Sequence, residues 1–263
     1  MSYETLKFDL NDQLATITLS RPDAANSLNL KMAEELHQVA THCASNPGIR
    51  AVILTAEGKM FCAGGDVVGF SEKGEQMAEH IRGMTTTLHA AVARFYRMDA
   101  PLIVAVNGVA AGAGMSIAIT GDIVFAAESA KFTMAYSKIG FSPDGSSSYF
   151  LPRLVGLRKA KELALLNPIL SAEQARVIGL VTEVVADEDL LNTARSCASQ
   201  LAQGPTKAHG EIKRLFADSV NNTLETQMEY ETRAIAGLAG GTEDAKGGVE
   251  AFVKKEKYTF LGR

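Results

Sequence analysis

The chain has 263 residues, 46% hydrophobic and 21% charged, which is enough apolar material for one large core or a core with an appendage. A net charge of −4 and a pI near 5.8 exclude the broad basic face that nucleic acid or an anionic membrane demands, so a bound anion must be met by a local site. Cys43, Cys62 and Cys197 are odd in number, far apart and without a CxxC pair, which excludes a disulfide scaffold and points to reduced thiols in a cytoplasmic protein.

MSYETLKFDLNDQ has no basic segment followed by an apolar stretch, so no signal peptide is expected. The apolar runs AVILT and LIVAV are strand-length, and no membrane span is expected either. QLATITLS (13–20) has strand composition and ends at Arg21-Pro22. Asn29 is placed to cap a helix over LKMAEELHQVATHCA, with Leu30, Ala33, Leu36, Ala40 and Cys43 on one face. Pro47-Gly48 stops that helix, and AVILTAEG (51–58) reads as a buried strand. Over 71–97, Met77, Ile81, Met84, Leu88, Val92 and Phe95 recur at helical spacing as a core stripe. LIVAVNG, GMSIAIT, DIVFAAE and KFTMAY follow as strand, helix, strand and strand, which makes the first 190 or so residues an α/β core. From Leu190 the chain reads as helical up to a Gly-rich break at 237–248, and AFVKKEKYTF reads as a short final helix.

Several familiar sites are missing from the sequence. It contains no P-loop, no complete dinucleotide fingerprint and no GxSxG elbow. The five histidines form no HxxxH pair, so no metal site is expected, and each histidine reads as a surface or helix-packing residue. Two glycine-rich stretches remain, KMFCAGGDVVGF (59–70) and VNGVAAGAGMSIA (106–118), each placed after a buried strand. Small residues let a ligand approach the backbone, and the N–H groups opening a helix at Gly112-Ala113-Gly114 have no partner within it. Two such loops that converge could each give one donor to a carbonyl oxygen carrying developing charge. Further on, GFSPDGSSSYFLPRLVG holds one acid, Asp144, at a Pro-Asp-Gly turn beside an apolar run.

At these residues the chain resembles the crotonase (enoyl-CoA hydratase/isomerase) superfamily. FCAGGD, NGVAAGAG, DIVFAAESAKF and the ending FVKKEKYTFLGR match its segments in colinear order. The resemblance implies a spiral of repeated ββα units over residues 1–199 and a helical region over 200–263 for trimerisation and CoA covering. It also implies an acyl-CoA thioester as substrate, no separate cofactor, and assembly as a homotrimer or dimer of trimers. Carried over by position, the N–H groups of Gly65 and Ala113, with Gly112 beside them, form the oxyanion hole. Ala63, Asp66 and Val67 meet the adenine end of CoA, Arg21, Ala24 and Ala25 line its pantetheine and diphosphate, and Lys254 or Lys255 reaches its phosphates.

The departures from the family pattern are informative. Hydratases of the family use two glutamates, and the matching positions here are Ser116 and Tyr136. Neither can activate water as a carboxylate does, so hydration by the usual route is not expected. Asp144 instead matches the catalytic Asp of certain members, and its surroundings look most like the phenylacetate-degradation-type isomerases. One carboxylate suffices for a 1,3-proton shift, with Tyr136 orienting the substrate or bonding Asp144. The other readings are Asp144 as a nucleophile on an aryl-CoA, as in dehalogenation, ring-epoxide isomerisation, and a silent CoA-binding scaffold. Met77, Met84, Ile139, Phe141, Tyr149 and Phe150 are the candidates for the acyl pocket.

Overall fold

The computed structural model describes residues 3–263. An antiparallel pair opens it, β1 (Leu6–Asn11) and β2 (Leu14–Leu19). Helix α1 (Leu30–Ser45) follows, capped as its sequence predicts, with Asn29 Oδ1 accepting the Met32 N–H at 2.9 Å. Ala33, Leu36, Ala40 and Cys43 are buried on its inner face, and Leu30 is half-buried.

Three successive units then repeat the order strand, strand, helix. The first runs β3 (Ala51–Ala56), β4 (Met60–Cys62), α2 (Val67–Ser71) and α3 (Met77–Arg97). The second is β5 (Leu102–Val106), β6 (Val109–Ala111) and α4 (Ala113–Ala118). The third is β7 (Ile123–Ala127), β8 (Lys131–Thr133), α5 (Ser147–Val155) and α6 (Leu157–Leu166). A short coda adds β9 (Leu170–Ser171), α7 (Ala172–Val177) and β10 (Glu183–Val185). In each unit the first strand joins one sheet, ordered β1-β2-β3-β5-β7-β10, and the second joins another, ordered β4-β6-β8-β9.

Both sheets are parallel through their middles, and every residue of β3 and β5 is buried. That burial explains the unbroken apolar runs AVILT and LIVAV: a parallel sheet is covered on both faces, so alternation disappears. One covering layer is α8 (Leu190–Ala202), which lies against β3, β5 and β7. In the smaller sheet β4, β6 and β8 run side by side in the same direction. The segments leaving their C-terminal ends are therefore neighbours, the usual place for a site in parallel α/β architecture.

Some boundaries differ from the sequence reading. Over 71–97 the helix proper starts at Met77, because Gly74 at φ +51° separates it from the short α2. KFTMAY is strand only to Thr133, and Ala135 at φ +54° turns the chain into a 3-10 turn. The expected break at 237–248 shrinks to one residue, Thr242, between α10 (Leu224–Gly241) and α11 (Glu243–Lys254), both of which follow α9 (Thr206–Ser219). A helical glycine costs only about 1 kcal/mol, and side-chain caps at Thr223 and Thr242 restart each helix.

The expected helix over 251–260 forms only over its first four residues. Helix α11 ends at Lys254, Lys255 takes φ +59°, and the tail folds back along its own chain. Leu261 and Gly262 donate their N–H groups to the Asp244 carboxylate at 2.6 and 2.7 Å. The Phe260 carbonyl accepts from buried Arg50, and the Tyr258 ring occupies the space where a Cβ on Gly247 would stand. Leu224, Met228, Ile235, Val249, Phe252 and Val253 are left exposed on α10 and α11. Among the described residues, no helix is long and apolar enough to cross a membrane.

Candidate active site

The two glycine stretches meet beyond the ends of β4 and β6. A Cβ on Gly64 would stand 3.0 Å from the Ala111 carbonyl oxygen, and one on Gly114 would stand 2.2 Å from that of Cys62. Gly64 and Gly112 also take φ of +103° and +52°, which side-chain-bearing residues rarely adopt. These contacts, more than turn-making, explain the glycines.

The first loop is pinned on both sides of Gly65. Ala63 donates its N–H to the Ala25 carbonyl at 3.0 Å. Leu28 donates to the Gly64 carbonyl at 2.7 Å and accepts from the Asp66 N–H at 2.9 Å. Phe70 lies beneath, its ring 2.8 Å from where a Gly65 Cβ would be. In the second loop Ala113 is the first residue of α4, so its N–H has no acceptor within the helix. Gly65 and Ala113 both line a cavity of about 700 Å³, along with Ala63, Val67, Gly112, Tyr136 and Asp144.

Asp144 is the only carboxylate among the described residues that line this cavity. Tyr136 Oη donates to Asp144 Oδ1 at 2.6 Å and lies 2.8 Å from Ser116 Oγ. An ionised carboxylate can only accept, so the Tyr136 proton points to Asp144 and Ser116 donates to Tyr136. Burial, with the Asp144 charge beside it, pushes the Tyr136 phenol above its ordinary range, which keeps it a donor. The Asp144 carbonyl accepts from Ser147 N–H at 3.2 Å and Oγ at 2.9 Å, and the next amide, Gly145 N–H, donates to His89 Nε2 at 3.2 Å. Ser116 and Tyr136, the positions that the family resemblance matches to the hydratase glutamates, are thus tied to each other and to Asp144.

A second cavity, of about 470 Å³, adjoins the first, and Asp144 and His89 line both. Tyr96, Tyr149 and Phe150 wall it, with ring centroids 4.9 Å apart for Tyr96–Phe150 and 5.2 Å for Tyr149–Phe150. The six acyl-pocket candidates are divided accordingly. Met84, Ile139 and Phe141 line the first cavity, Tyr149 and Phe150 the second, and Met77 packs against the core.

Other expected positions lie outside the main cavity. Asp66 caps α2 through the Gly69 N–H at 3.2 Å, pairs with Arg21 at 3.2 Å, and borders a neighbouring groove with Lys31 and Lys73. Ala25 contributes its carbonyl to the first loop and does not line the cavity. Lys254 and Lys255 are exposed at the end of α11 and are not brought to the cavity within the chain.

His89 is the residue that sequence reading passed over. Its signal was present: Ile81, Thr85 and His89 recur at i, i+4 and i+8 and all line the main cavity. They form a stripe on α3 beside the core stripe of Met84, Leu88 and Val92.

Comparison with known proteins shows the family. The family profile for enoyl-CoA hydratase/isomerase matches residues 9–263. A Rhodobacter capsulatus protein named "Probable enoyl-CoA hydratase" is 38% identical over 263 residues, covering 100% of both chains. The 1,2-epoxyphenylacetyl-CoA isomerase of Escherichia coli is 41% identical over 256 residues, 94% of this chain and 95% of that one. The crystal structure of an enoyl-CoA hydratase from Polaromonas sp. JS666 superposes with a TM-score of 0.91 at 32% identity, covering 97% of this chain and 99% of that one.

Proposed function

The chain belongs to the enoyl-CoA hydratase/isomerase family, and from that premise we propose that it is an acyl-CoA isomerase moving the double bond of a 3-enoyl-CoA to the 2-position. The thioester oxygen sits between the N–H groups of Gly65 and Ala113. The Asp144 carboxylate removes a proton from C2, and the electron pair spreads onto the thioester oxygen as a dienolate held by those two donors. Asp144, now protonated, returns the proton to C4, and the double bond comes to lie between C2 and C3. The reaction moves one proton within the substrate and needs no added cofactor. The observation that carries this reading is the single carboxylate in a cavity that Gly65 and Ala113 also line.

Hydration is the less favoured outcome, because it needs one group to activate water and another to manage the α-proton. The hydroxyls at 116 and 136 are committed to each other and to Asp144. The test is conversion of a 3-enoyl-CoA by wild type and Asp144→Asn, with 2-enoyl-CoA hydration followed alongside. Isomerisation falls by about 10³-fold in the variant, and wild-type hydration is slow by comparison. Equal rates in the two proteins would sink the reading.

A second reading, isomerisation of a ring epoxide on an acyl-CoA, is favoured by the aromatic walls of the second cavity and by the 41% identity to an enzyme of that name. Turnover of an aryl-epoxide acyl-CoA without turnover of any 3-enoyl-CoA would select it. Assembly as a homotrimer or dimer of trimers belongs to the same proposal and is supported by the exposed apolar residues of α10 and α11. Light scattering that reports a monomer would exclude it.

A further inference from the structure

We infer that His89 is a positioning residue for Asp144, acting as a hydrogen-bond acceptor that holds the Gly145 amide. The inference rests on Asp144 being the acid/base. Asp144 sits in a turn whose next two residues, Gly145 and Ser146, take φ of +58° and +73°. Left-handed backbone at a serine is strained by about 1 kcal/mol or more, so such a turn persists only if its surroundings hold it.

Three groups hold the turn. Tyr136 bonds the carboxylate, Ser147 bonds the Asp144 carbonyl, and His89 takes the Gly145 N–H. The first two come from the segment that also carries Asp144. His89 is the tie from α3, so it sets the distance between the turn and the far wall of the cavity.

The chemistry of this tie is specific. Nε2 accepts only when it bears no proton, so the imidazole is neutral with its hydrogen on Nδ1. A second proton would place Nε2–H against the Gly145 N–H, donor against donor. The bond would open, and the new cation would draw the neighbouring carboxylate out of its line to Tyr136. The charged and titratable groups sharing the two cavities with His89 are Asp144, Tyr136 and Lys138 on one side, and Tyr96, Arg97, Tyr149 and Asp218 on the other. Asp144 is the acid next in sequence to the amide that His89 holds.

The experiment uses a feature of the sequence: Asp144-Gly145 is the only Asp-Gly step in the chain. Carbonyl-13C aspartate with 15N glycine therefore gives a single correlated amide, that of Gly145. In wild type this signal is that of an amide bonded to the His89 imidazole, and in His89→Leu it is displaced. His89→Leu lowers kcat by about tenfold with little change in KM, and His89→Gln, which keeps an acceptor oxygen, recovers most of that loss.

Wild-type kcat in His89→Leu, or a Gly145 amide blind to the identity of residue 89, overturns the inference. Should Asp144→Asn retain activity, the functional reading fails first. The Gly145 amide still reports whether His89 holds the turn.

Discussion

Tyr136 donates a 2.6 Å hydrogen bond to Oδ1 of Asp144, from a position that the family resemblance matches to one of the hydratase glutamates. The phenol stays a hydrogen-bond donor, since burial and the adjacent charge keep it protonated. It fixes one carboxylate oxygen, Oδ1. Removing it with Tyr136→Phe keeps the ring and its packing. A hydrogen bond to a charged group contributes about 1.5–3 kcal/mol, so kcat for isomerisation is expected to fall roughly tenfold or more. Steady-state kinetics would show that fall with KM little altered, and an unchanged kcat would show that the tie is idle.

The contact between the two loops makes a second expectation. Gly114→Ala sets a Cβ 2.2 Å from the Cys62 carbonyl oxygen, a backbone atom that cannot step aside. The loops bearing Gly65 and Ala113 are pushed apart, with loss of activity and about 1–3 kcal/mol of stability. Gly83→Ala is the control, since a Cβ there meets nothing within 4 Å in the middle of α3. It is expected to stabilise by about 0.4–1 kcal/mol. Thermal melts of the two variants should move in opposite directions.

Beneath the sheet, Lys213 of α9 lies 2.8 Å from Asp122 and donates to the carbonyls of Phe95 and Ala100. Burial lowers the Lys213 pKa and raises that of Asp122, so each group resists charging and depends on the other. Lys213→Met strands the carboxylate and is expected to cost about 3 kcal/mol in urea unfolding. Adding Asp122→Asn should restore part of that loss, and a strictly additive double variant would argue against coupling.

His209 makes stability depend on pH. Burial first, and then the charge of Arg50, lowers its pKa below the ordinary 6.5. The unfolded chain therefore takes up the proton at a higher pH than the folded one. The stabilising contribution is complete above pH 6.5 and is lost as pH falls towards the lowered folded value. Wild type should melt lower at about pH 5.5 than at about pH 7.5, and His209→Gln should narrow that gap. A gap of the same size in both proteins would assign the acid sensitivity to other groups.

Much of the fold was legible because its signals are local. Unbroken apolar runs such as LIVAV announce strands covered on both faces, Asn29 announces a helix start, and FCAGGD and NGVAAGAG announce loops where a side chain would obstruct. The turn at Asp144 and the missing carboxylates at 116 and 136 could also be read directly. Tertiary structure decided what those residues do to one another. Ser116, Tyr136 and Asp144 form one chain because α4, the turn after β8 and the turn before α5 are packed together. His89 reaches Gly145 across 56 positions, a contact that no helical periodicity encodes. The tail shows the same limit: AFVKKEKYTF has helical composition, yet the N–H groups of Leu261 and Gly262 gain the buried Asp244 carboxylate only by leaving the helix. Sequence pattern records period and turn chemistry, whereas partner choice among distant polar groups is settled by which of them the packed core brings within about 3 Å.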